Sequence, residues 1–76
     1  MKEFIIYIDQ KQFKIELQFI TGSQLKELAK VPYNYGVWLQ VYGSNLDKEI
    51  ADNEQIDLNQ PYTDRFFTGN KFMTEG

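Results

Sequence analysis

The sequence contains no cysteine and no histidine. Disulfides are therefore excluded, and so are zinc sites of the usual Cys/His type. The same absences remove the thiol nucleophile and the commonest general base. Ser23 and Ser44 have no activating partner in their surroundings. The glycines, at 22, 36, 43, 69 and 76, are scattered and form neither a phosphate-binding loop nor a dinucleotide fingerprint. No apolar run approaches the length of a membrane span, and the Met1-Lys2-Glu3 start followed by a short apolar run does not read as a signal peptide. Basic residues are in the minority: eleven acids face eight bases, a formal charge of −3. A nucleic-acid module normally carries a basic face, so that class is disfavoured and a protein partner is expected. Lack of cysteine fits a reducing cytoplasm. These absences together point away from an enzyme and call for no cofactor and no metal.

What the chain does have is apolar and aromatic mass. Its 76 residues, with six Phe, five Tyr and one Trp, make one domain that must be held by packing alone. Residues 4–20 organise the rest. Phe4, Ile6 and Ile8 share one side of a first strand. After the polar link of residues 9–12, Phe13, Ile15, Leu17 and Phe19 alternate with Lys14, Glu16 and Gln18. Alternation of this kind marks a half-buried strand, and the short link makes an antiparallel hairpin. Leu17 is accordingly expected in the core. A hairpin alone is marginal in water, so its apolar face needs a cover. A helix over residues 23–30 supplies it. Thr21 and Gln24 have capping-box spacing, with Ser23 a rival cap, and Leu25, Leu28 and Ala29 form the apolar stripe. Lys26, Glu27 and Lys30 take the solvent side, and Pro32 ends the helix.

A second alternation follows over residues 37–42, with Val37, Leu39 and Val41 inward and Trp38, Gln40 and Tyr42 outward. Gly43-Ser44-Asn45 is turn chemistry, a very short strand is expected at residues 49–51, and Ile56 and Leu58 anchor a connecting loop. Pro61 opens the last element, a strand over residues 65–68 with Phe66 inward and Phe67 outward. The order of hairpin, helix, strand, short strand and strand gives an α+β roll, a helix packed across a mixed sheet of four to five strands. The first and last strands should lie parallel in its middle, the β-grasp arrangement. The domain is read as residues 1–69, and residues 70–76 as a flexible C-terminal tail.

The acids at 47, 49, 52, 54 and 57 read as a solvated loop edge that discourages sheet-to-sheet pairing, since the spacing is not that of a calcium loop. Two features point to binding. Trp38, Tyr42, Tyr7 and Phe67, with Ile5, would share the open sheet face as a partner-binding patch. The tail closes on Glu75-Gly76, and a glycine carboxylate can enter a narrow enzyme groove because no Cβ obstructs it.

Several segments in order resemble the prokaryotic multiubiquitin domains: the run Phe4 to Asp9, the Thr21-Gly22 helix start through Ala29, Val31-Pro32, Asp52, Ile56-Asp57-Leu58 and Arg65-Phe66-Phe67-Thr68. The resemblance implies a bacterial ubiquitin-like β-grasp modifier, activated at its C-terminus and conjugated to target proteins in anti-phage defence. It also implies E1-like activating and E2-like conjugating enzymes and a deubiquitinase-like protease as partners, with Gly76 as the conjugation terminus. The expected protein is a cytoplasmic monomer that uses neither nucleic acid nor membrane. A non-conjugated adaptor working through the sheet face and a sulfur carrier are the alternatives.

Overall fold

The computed structural model describes residues 2–41, 43 and 47–70. The first strands form as the alternation requires. β1 (Phe4–Ile8) and β2 (Lys11–Ile15) pair antiparallel, Ile6 opposite Phe13 and Phe4 opposite Ile15. The link is tighter than the four polar residues suggest. Only Asp9 and Gln10 lie outside the strands, at φ 52° and 71°. Positive φ at both central residues matches the right-handed strand twist, and an Asp at the first position tolerates it.

The chain then departs from the expected single long strand. β2 ends at Ile15, and β3 (Phe19–Thr21) starts a separate two-stranded sheet with β6 (Gln55–Asp57). The break at residues 16–18 resets the phase, so Ile20 faces the core opposite Ile56. Leu17 and Phe19, expected inside, are 50% and 48% exposed. The physical reason is the helix that follows. α1 (Gly22–Ala29) has Thr21 as N-cap, whose hydroxyl accepts from the Gln24 N–H at 3.2 Å while the Gln24 side chain accepts from the Thr21 N–H at 2.9 Å. A capped helix tends to pack the residue before its cap against the fourth helical residue. Those positions are Ile20 and Leu25, 1% and 0% exposed in one core cluster.

Gly22 is the first helical residue, and a Cβ there would lie 2.3 Å from the Ala51 carbonyl oxygen. The loop after β5 (Lys48–Ile50) therefore crosses directly over the helix start, and the Ser23 N–H donates to the Asp52 carbonyl at 3.0 Å. The helix closes with Lys30 in the left-handed region, φ 59°, where the Lys30 and Val31 N–H groups donate to the last-turn carbonyls of Glu27 and Lys26.

The main sheet has the order β2-β1-β7-β4-β5, completed by β4 (Tyr35–Leu39) and β7 (Arg65–Asn70). β1 and β7 run parallel at its centre, as expected, and every other pair is antiparallel. This is a β-grasp α+β fold. Its core gathers Ile6, Ile8, Ile15, Leu25, Val37, Leu39, Ile50 and Phe66 between sheet and helix, with Ile20, Ile56 and Leu58. Ile56 and Leu58 are buried as expected, but residues 55–57 form a strand rather than a loop. The short strand falls one residue earlier than its expected position. Val41, expected inward, lies beyond the end of β4 and is half-buried. β7 continues through Asn70, which pairs with Tyr35. No described helix is long and apolar enough to cross a membrane.

Candidate partner-binding face

The side of the sheet away from α1 carries the residues that alternate with the core. Ile5 and Tyr7 come from β1, Arg65 and Phe67 from β7, and Trp38 from β4. Register brings them into two cross-strand pairs: Tyr7 lies opposite Arg65, and Trp38 opposite Phe67. The Trp38 and Phe67 rings stack with centroids 5.5 Å apart and planes 11° from parallel. Trp38 also reaches along β7, since a Cβ on Gly69 would meet its ring at 3.4 Å. The Arg65 guanidinium sits 4.9 Å over the Tyr7 ring. The face therefore carries one stacked aromatic pair and one cation–ring pair rather than loose rings. Trp38, Tyr7 and Phe67 are half-buried, while Ile5 is 46% exposed. Tyr42 and Gly76 lie outside the described residues, as do Ser44 and Asn45.

Two open depressions flank Arg65. One, of about 300 Å³, is lined by Tyr7, Asp9, Gln10, Gln40, Arg65, Phe66 and Phe67. The other, about 330 Å³, adds Val41, Gly43, Tyr62 and Asp64 to Gln40 and Arg65. The Asp9 carboxylate is already engaged. It accepts from the Thr68 N–H at 2.9 Å and the Thr68 hydroxyl at 2.6 Å. These bonds continue the β1–β7 ladder past the point where β1 turns away, fixing the middle of β7.

The acidic residues do not converge. Lys26 pairs with Asp52 at 2.7 Å, and Lys48 pairs with Glu54. The hydrogen bond from Lys48, and then the Ala51 N–H, hold the Glu54 carboxyl below its ordinary value. The Asn59 N–H, and then the Gln18 amide, do the same for Asp57. Among the described residues no group of His, Cys, Asp or Glu is arranged to hold a metal ion.

Arg65 is the residue of this face that sequence reasoning did not single out. Its signal was available: it alternates with Phe67 on one strand, so an outward Phe67 makes Arg65 outward too. A second feature also went unforeseen. Leu17 borders an open groove with Ile15, Ile20, Gln24, Glu27 and Leu28 beside the helix.

The chain matches the protein-family model described as multiubiquitin over residues 4–71. No curated protein and no solved structure matches it. The matched span takes in every strand and the helix of the fold.

Proposed function

The chain belongs to the multiubiquitin family, and on that basis we propose that it is a bacterial protein modifier, conjugated through its C-terminus to target proteins in anti-phage defence. It is a small ubiquitin-like β-grasp protein; the conjugation cycle is the proposal. The family match across the whole fold is the observation that carries it. In the proposed cycle an E1-like enzyme activates the carboxylate of Gly76. A carboxylate oxygen attacks the α-phosphorus of ATP and pyrophosphate leaves, giving an acyl adenylate. An enzyme thiolate then displaces AMP to form a thioester, which passes to an E2-like enzyme and on to a target amine. A deubiquitinase-like protease reverses the last bond. The cycle runs in the cytoplasm.

Two structural features support this reading. β7 pairs with β1 at Arg65 and Phe66 and with β4 through to Asn70, which holds the last described residue of the strand in the sheet. The aromatic face around Trp38, Tyr7 and Phe67 offers docking surface that involves no chemistry of its own; that Tyr42 belongs to the same surface is part of the proposal.

The test is intact-mass analysis of the chain incubated with ATP and an E1-like activating enzyme. The expected product is a covalent adduct through Gly76 that needs ATP and disappears when Gly76 is deleted. No adduct under any condition, or one that survives the deletion, puts the non-conjugated adaptor in its place.

A further inference from the structure

Arg65 occupies an unusual position on this face. It forms no ion pair with any other described residue, yet its guanidinium is held 4.9 Å over the Tyr7 ring. A guanidinium lying on an aromatic ring keeps its in-plane N–H edge available, and that edge matches a carboxylate through two parallel hydrogen bonds. The stacking also reduces the side-chain freedom that binding would otherwise have to remove. The acids that line the depressions beside it, Asp9 and Asp64, form no salt bridge with it. Gln10 and Gln40 are neutral, and both Asp9 oxygens are occupied by Thr68. Asp64 lines the adjoining depression, and on the same face Lys14 lies opposite Ile5 and Glu49 opposite Trp38. A preorganised cation beside a stacked Trp–Phe pair has the composition of a binding hot spot.

The geometry points to a specific ligand: we propose that Arg65 is the anchor of a site for an extended acidic-apolar peptide of a partner protein, with an aspartate or glutamate at one position and an apolar side chain two residues away. Arg65 and Phe67 are themselves two apart on one strand, so their side chains are separated by about 7 Å along one face. An extended peptide has the same repeat. A carboxylate on Arg65 therefore places the second side chain on the Phe67–Trp38 pair. This deepens the docking part of the proposed function, but it does not depend on conjugation, and its test involves no enzyme.

The test is a heteronuclear NMR titration of the whole chain with the end-blocked peptide Ala-Glu-Ala-Leu. The amide signals of Tyr7, Trp38, Gln40, Arg65 and Phe67 are expected to move together, and the fluorescence of Trp38, the one tryptophan in the chain, to change with them. Affinity should fall about tenfold or more for Ala-Gln-Ala-Leu, and equally for the chain carrying Arg65→Gln. It should fall as well for Ala-Glu-Leu-Ala, in which the two side chains are adjacent. Arg65→Lys should recover part of the loss. Arg65 is exposed, so these variants keep the fold, which the unmoved amide signals report. The proposal is overturned by equal binding of the Glu and Gln peptides, by shifts located elsewhere, by the same shifts with acetate alone, or by no shift up to about 5 mM peptide.

Discussion

Gly22 shows how one residue type ties sequence to fold. Alanine is ordinarily better than glycine inside a helix by roughly 1 kcal/mol. Here the added methyl would lie 2.3 Å from a backbone oxygen of Ala51, which has no flexible side chain to yield. Gly22→Ala should therefore destabilise the domain, by about 2–3 kcal/mol, measured by urea titration. A gain in stability would mean that the loop after β5 does not lie against the helix start. The Thr21-Gly22 pair thus carries two separate demands, a cap and a close contact. Trp38 makes the opposite case, a large side chain outside the core. It stacks on Phe67 and covers Gly69, so Trp38→Ala should cost about 1–2 kcal/mol and leave the chain folded. If the face docks an E1-like enzyme as proposed, the same variant should bind that enzyme at least about tenfold more weakly. Unchanged binding in a pull-down or titration would remove Trp38 from the docking surface.

At the level of elements, the clearest contrast is between Ile20 and Leu17. Ile20→Ala should cost about 2–5 kcal/mol, because Ile20 is buried against Leu25 and Ile56 in the core. Leu17→Ala should cost under about 1 kcal/mol, since half of its surface is already wet. Equal losses in parallel denaturant titrations would restore the single long strand. Alternation alone could not choose between these residues, because it continues unbroken through Phe19. The cap does choose: once Thr21 and Gln24 are read as a capping box, the residue before the cap must point inward, and that residue is Ile20. The helix, β1 and the phase of β7 were legible because each has one dominant local signal; β4 was legible in phase, but it runs Tyr35–Leu39 rather than over residues 37–42. β6 was not, for three residues with one apolar side chain look like a loop until β3 is seen to need a partner.

The acids at and beside β6 belong to the same scale. Glu54 and Asp57 are held below their ordinary values by hydrogen bonds, so the folded chain takes up their protons less readily than the unfolded one. Their contribution is present above the unfolded values, near 4, and is lost as pH falls through the lower folded ones. The melting temperature should stay level from neutral pH to about 5 and fall below about 4. Asp57→Asn should reduce that fall. An acid limb identical in the variant would show that the Asn59 and Gln18 contacts do not bias the carboxyl.

For the whole molecule, the absence of cysteine and histidine leaves packing as the source of stability, and the fold meets that need with two sheets on one helix. The parallel pairing of the first and last strands was legible because both carry apolar runs and the helix between them must cross the same face. The candidate face was legible in part. Trp38, Tyr7 and Phe67 follow from phase, and so does an outward Arg65, but its contact with the Tyr7 ring became visible only through register. Fold does not by itself fix function, so the conjugation cycle needs a chemical test at its first step. In the proposed cycle that step is ATP–pyrophosphate exchange catalysed by an E1-like enzyme. A modifier whose Gly76 carboxylate is adenylated makes exchange depend on the chain, saturate with its concentration and vanish when Gly76 is deleted. Exchange that ignores the chain, or that the Gly76 deletion leaves intact, contradicts the account.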